Sequence, residues 1–128
     1  MAIRIAISHG ELIDKITILE IKAQRIGDAA KRANVEKELA LLRATWAAHV
    51  PSSPALDAQI DALRAVNAKL WDVEDALRDK ERQRQFDAEF IELARSVYFT
   101  NDERARIKRA INQLLDSDLI EEKSYQAY

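Results

Sequence analysis

Asn67, Glu74, Thr100 and Arg104 are the polar residues whose spacing brings them nearest to a site. Each interrupts an otherwise apolar heptad line, Asn67 and Glu74 in one segment and Thr100 and Arg104 in the next. If the two segments pair antiparallel, Asn67 faces Arg104, with Thr100 and Glu74 within about one turn. Two kinds of chemistry suit such a layer. A buried polar group can fix the register and direction of a helical hairpin at some cost in stability. Alternatively, the Arg104 guanidinium and the Asn67 amide hold the carboxylate or phosphate of an anionic ligand between the helices. The register reading ranks first, and under it Arg104→Leu leaves the fold intact or more stable.

His9 and His49, with Glu11, form a second candidate, for a metal. Such a site needs two imidazoles and one or two carboxylates in ligand geometry. Both histidines also stand at helix ends, where polar residues are ordinary. Glu11-x-x-Asp14 and Glu89-x-x-Glu92 place carboxylates three apart on single helix faces, a spacing also found in the metal sites of all-α nucleotide pyrophosphohydrolases and di-metal bundles. No second motif accompanies them, and Lys15 and Arg95 neutralise these acids as helical neighbours. The chain has no Gly-rich phosphate loop, no nucleophile elbow and no His-Glu-x-x-His. No cofactor is expected. The basic runs Lys80 to Arg84 and Arg104 to Arg109 are interleaved with acids and read as solvated helix surface, so nucleic acid ranks low among partners.

Composition sets the frame in which these residues sit. A chain of 128 residues with 48% hydrophobic content can close one ordinary core, and a single helical domain over 1–128 is expected. Lys and Arg number 20 against 22 Asp and Glu, which argues against a dedicated surface for nucleic acid or anionic membrane. The absence of cysteine removes disulfides, thiol nucleophiles and Cys-based zinc sites. Met1 to Ile7 is too short for a membrane span or a signal core and carries Arg4, so the chain is expected to be cytoplasmic. Two Gly and two Pro in a chain 33% charged suit long helices better than a sheet.

Four helices follow from the pattern. In His9 to Ile26, Leu12, Ile16, Leu19, Ala23 and Ile26 step by four and three along one stripe. Ser8 and Glu11 have capping-box spacing, and Ile7 and Leu12 the spacing of a hydrophobic staple. Ile18 and Ile21 lie off that stripe, so the helix should meet apolar neighbours on more than one side. Gly27 offers a left-handed cap, and Asp28 can cap the next helix, 29–48. Facing positions keep a constant sum of residue numbers, pairing Leu12 with Trp46, Ile16 with Leu42, Leu19 with Leu39 and Ala23 with Val35. After HVPSSP, Ser53 and Pro54 start a third helix, 54–84, and a fourth runs over 86–115. Their seams pair by the same rule, Leu63 facing Ile107. Thr100 and Glu103 could start a new helix, but the heptad phase survives passage through Thr100 and favours continuity. Ile3, Ile5 and Ile7 alternate with Arg4 and Ala6, a pattern open to a short strand or an extended arm.

The fold class is therefore all-α: two antiparallel hairpins packed as an irregular four-helix bundle. Arms of roughly 27 Å and roughly 45 Å cannot cover each other fully. The overhang must be polar, covered by the chain ends, or buried against another subunit, and a homodimer or higher oligomer is expected. Tyr125 and Tyr128, at the end of a mixed-charge tail, are expected to dock on the bundle or on a neighbour, the alternative being a frayed end.

GELIDKITILEIK from Gly10 to Lys22, Asn67-x-x-Leu70-Trp71-x-x-Glu74-Asp75, FIELARSVY from Phe90 to Tyr98, Thr100-Asn101-Asp102 and EEKSY from Glu121 to Tyr125 resemble a small bacterial family of unknown function. The resemblance spans nearly the whole chain. It implies an association with enzymes of sugar transfer and surface-polysaccharide assembly, by neighbourhood or fusion, and hence an accessory role. A protein-interaction or scaffolding module ranks first. An all-α enzyme binding a metal or an anionic ligand such as a nucleotide ranks second.

Overall fold

Four short side chains decide where the helices begin. Ser8, Asp28, Ser53 and Asp87 each accept a hydrogen bond from the backbone N–H three residues on, at Glu11, Lys31, Leu56 and Phe90, over 2.9–3.2 Å. In the computed structural model, which describes all 128 residues, they open α1 (His9–Arg25), α2 (Ala29–His49), α3 (Pro54–Arg82) and α4 (Ala88–Leu114). Only Asp87 differs from the spacing-based start, which falls at Phe86. The reciprocal half of the Ser8–Glu11 capping box does not form, because the Glu11 carboxylate pairs instead with Lys108 at 2.8 Å.

The helix ends depart further from expectation. No glycine has a positive φ. At the end of α1, Ile26 is extended, and its carbonyl accepts from the Arg32 guanidinium at 3.1 and 2.9 Å, so the left-handed cap expected at Gly27 is replaced by a side-chain donor. The left-handed residues are Arg84 (φ 54) and Asp116 (φ 51). Each is followed by a six-to-one bond, Gln85 N–H to the Lys80 carbonyl and Ser117 N–H to the Asn112 carbonyl, which makes both ends Schellman caps built without glycine. Ile3 and Ile5 are 90% and 74% exposed, and residues 1–8 form no strand. With no sheet edge in the fold, the alternating run has no hydrogen-bonding partner.

The chain forms an all-α bundle of four helices, with an unequal distribution of neighbours. α1 packs against α2, α3 and α4, and α3 against α4, whereas α2 packs against α1 alone. α1 is therefore the shared wall of both hairpins. Ile16, Leu19, Leu39, Leu56, Ile60, Leu63 and Ile111 are core, with Leu42, Trp46, Val35 and Ile107 packed against them. Burial of each such side chain is worth roughly 1.5–3 kcal/mol. Ile21 is buried by this arrangement within one chain, so it makes no demand for a second subunit. α4 runs unbroken through Thr100, which is buried mid-helix and caps nothing.

Close approach of α1 to α4 depends on Gly10. A Cβ there would lie 2.6 Å from the Lys108 carbonyl oxygen and 3.0 Å from Asn112 Oδ1. The same proximity lets Asn112 Oδ1 accept the Gly10 N–H at 2.6 Å, while Ser117 Oγ accepts the His9 N–H at 3.3 Å. Together with Ser8 on Glu11, the N–H groups of His9, Gly10 and Glu11 are each satisfied by a side chain, and that of Leu12 by the Ser8 carbonyl. Gly10→Ala is expected to push α1 from α4 and to destabilise the fold by about 1–3 kcal/mol, as overpacking against backbone does; a thermal melt beside an exposed control, Gly27→Ala, which meets nothing within 4 Å, measures it.

Candidate functional site

On α1, Gly10, Asp14, Thr17 and Ile21 step by four and three, and all are buried. This second stripe faces α3 and α4, and Asp14 is its centre. The Asp14 carboxylate, 1% exposed, accepts from Asn67 Nδ2 at 2.9 Å and from Arg104 Nε at 3.0 Å on one oxygen. Its other oxygen accepts from Arg104 Nη2 and lies 3.6 Å from Lys108 Nζ. The Arg104 contact is thus a fork matching both carboxylate oxygens. Asn67 shares its amide with Thr17 Oγ1, also at 2.9 Å, and Thr17 donates to the Asp14 carbonyl.

Around this centre lies a partly exposed shell. Lys108, with a side chain 9% exposed, donates to Glu11 at 2.8 Å and to Glu121 of the C-terminal tail at 2.9 Å. Arg109 pairs with Glu122 at 3.0 Å. Burial opposes ionisation of Asp14, but the hydrogen bonds from Arg104 and Asn67 and the charges of Arg104 and Lys108 outweigh it, holding its carboxyl below the usual 3.8. For Lys108, burial again acts against the charge, and Glu11 and Glu121 overcome it, raising the ammonium above its ordinary 10.5. Arg104 is raised chiefly by its bond to Asp14.

Asn67 and Arg104 do meet at one level of the bundle, joined through a residue of the other hairpin. An anion sits between them as the ligand reading expects, and it is the chain's own Asp14. Thr100 is buried one turn before Arg104. Glu74 lies outside the cluster: its side chain is 51% exposed and pairs with Arg78 at 3.5 Å. At two turns from Asn67 it sits where α1 no longer covers α3. Glu11 serves Lys108 and, at 3.8 Å, Lys15. His49 is exposed, its Nδ1 2.8 Å from the Thr45 carbonyl, and His9 Nδ1 is buried without a partner. His9, Glu11 and His49 do not assemble, and no group of three or more His, Asp or Glu side chains is arranged to hold a metal.

Asp14, Thr17, Lys108 and Asn112 belong to the polar cluster without appearing in the seam pairing. Their signal was the Gly10-Asp14-Thr17-Ile21 stripe, visible at helical pitch once α1 is allowed two faces. Glu20 adds a second cross-tie: it accepts from Arg64 of α3 at 3.0 and 3.4 Å and lies 3.7 Å from Arg43 of α2. It rims a cleft of about 450 Å³ floored by Ile13, Ile16, Trp46 and Ile60.

A bundle of four helices tied through a saturated internal ion cluster is the class of protein that this geometry defines. No helix is long and apolar enough to cross a membrane. The chain belongs to the Family of unknown function (DUF6165), whose model matches residues 3–128. No curated protein and no solved structure matches it.

With Asp14 as the shared partner, the expectation for Arg104→Leu reverses. The substitution strands a buried carboxylate and should cost about 3–5 kcal/mol, whereas Asp14→Leu combined with Arg104→Leu should cost less than the sum of the two single changes; a double-mutant cycle in urea measures this. A depressed carboxyl stabilises the fold above the unfolded-state value and ceases to do so as pH falls through the folded value. The raised Lys108 contributes fully below its ordinary 10.5 and is lost as pH climbs through its folded value. Stability is therefore expected to drop below about pH 3.8 and above about pH 10.5, and Asp14→Asn to flatten the acid limb of a pH series of melts.

Proposed function

We propose that this chain is a protein-interaction module that self-associates through the distal half of its α3–α4 hairpin. The observation that carries the reading is a seam left half open. Near α1 the facing residues Leu56, Ile60, Leu63 and Ile111 are buried. Arg25 at the end of α1 still reaches Trp71 and Asp72, and Val73 is buried, but beyond them Leu77, Phe90, Leu93 and Val97 are only half-buried, and Phe86 and Ile91 are more than half exposed. Two helices alone cannot enclose such a line, and a second pair laid against it would. Neither α1 nor α2 reaches this end of the hairpin, which keeps the surface free for a partner.

The interior gives less support to ligand chemistry. Both oxygens of Asp14 are already engaged by protein donors, Asn67 and Arg104 on one and Arg104 on the other. A scaffolding role beside bacterial sugar-transfer or surface-polysaccharide enzymes is the setting suggested by the family resemblance, and such enzymes are the partner class to test first.

Sedimentation equilibrium over a range of concentrations tests the proposal. The wild-type chain should exceed its 14.6 kDa monomer mass, and Phe86→Glu with Ile91→Glu should return it to the monomer without lowering the melting temperature measured at low concentration. A wild-type monomer at every concentration refutes self-association.

A further inference from the structure

After Asp116 the chain turns and runs antiparallel to α4. Glu121 meets Lys108, Glu122 meets Arg109, and Tyr128 at the far end packs its ring against Tyr98 and Phe99, with centroids 5.3 and 4.7 Å away, while its hydroxyl donates to Asp102. Leu119 and Ile120 are about half-buried, while Tyr125 and Tyr128 are 79% and 70% exposed, so no apolar side chain of the segment is fully withdrawn from water. The Arg109–Glu122 pair is exposed and holds weakly, so the segment hangs chiefly on Glu121 at the buried Lys108 and on the Tyr128 ring, two points of attachment that another segment can take over.

Beneath the tail, a hollow of about 170 Å³ is lined by Arg106, Lys108, Arg109 and Asn112 on one side and by Glu121, Glu122 and Lys123 on the other, Lys123 lying 3.5 Å from Glu121. The carboxylates of α1 do not balance this surface. Asp14 answers Arg104, and Glu11 answers Lys108. Arg109 has Glu122 alone, and Arg106 has no carboxylate partner. Without the tail, α4 presents two uncompensated guanidinium groups beside Lys108, with an aromatic pair two to three turns away. Such a surface recognises an extended segment with adjacent carboxylates and a following aromatic ring.

We propose that this face of α4 docks an acidic, aromatic-bearing peptide segment of a partner protein, and that residues 121–128 occupy it in cis as a removable cover. The proposal rests on the reading of the chain as an interaction module but uses a different surface from the α3–α4 tip. A partner segment must compete with the cover, so its apparent affinity is reduced by the fraction of time the face is open. Release of the cover should therefore strengthen binding.

A fluorescein-labelled peptide with the sequence of residues 118–128 is the probe, and fluorescence polarisation with the full chain is the readout. Glu121→Gln, Glu122→Gln and Tyr128→Ala in one full-length chain loosen the cover while leaving α4 intact. That chain should bind the peptide about tenfold more tightly than wild type, as expected if the face is open roughly a tenth of the time. Adding Arg109→Glu, an exposed position, should abolish binding with the melting temperature retained. Equal affinity in the wild-type and loosened chains, or binding indifferent to Arg109→Glu, overturns the proposal. A loosened chain that falls from oligomer to monomer assigns the tail to a second copy and overturns the cis cover. Phe86→Glu with Ile91→Glu should leave peptide binding unchanged, which separates this result from the fate of the self-association reading.

Discussion

A carboxylate withdrawn from water inside a helical bundle is the constraint on which the arrangement depends. Desolvation of such a charge costs several kcal/mol even after relaxation, and the cost is offset only by donors in correct geometry. Asp14 finds them on two helices at once, Asn67 from α3 and Arg104 with Lys108 from α4. Displacing Arg104 would strip the buried carboxylate of the fork that answers both of its oxygens. Apolar stripes alone would permit α1 to slide or rotate against the α3–α4 pair; the ion cluster selects one position along it.

The same demand explains the fine structure around α1. Placing Asp14 against Arg104 brings the first turn of α1 onto the last turns of α4, close enough that only glycine fits at position 10. The N–H groups exposed by that turn then need acceptors, and Asn112 and Ser117 supply them. Charge, close approach and capping are one solution to one packing problem. Its parts are distributed over both ends of the sequence.

Much of this was legible in the residue pattern. The α1–α2 pairing, the caps at Ser8, Asp28 and Ser53, and the continuity of α4 follow from local spacing, because each concerns residues close in sequence or repeating at helical pitch. The level shared by Asn67 and Arg104 was legible for the same reason. Asp14 was not, since pairing arithmetic relates the two arms of a hairpin and says nothing about how one hairpin docks on another. Glu74 was misplaced because heptad position reports the facing helix, whereas its exposure depends on where α1 ends. The left-handed residues Arg84 and Asp116 carry no sequence signal, because glycine is the usual mark of that conformation. The tail was half legible: two tyrosines suggested docking, and Tyr128 sets its ring against Phe99 while remaining 70% exposed, whereas Tyr125 makes no such ring contact.

One feature of the topology bears on how the molecule comes into being. The first hairpin is local and can close as soon as it is made, yet the other side of α1 must wait. Gly10 is 102 residues from Asn112, and Asp14 is 90 from Arg104. During synthesis, the amino-terminal hairpin therefore carries a hydrated Asp14 and a wet Ile21 until α3 and α4 have emerged. Closing so long a loop is entropically costly and comes late. The aspartate, still solvated, keeps that waiting face from being wholly greasy, and so lessens its tendency to stick to other unfinished chains.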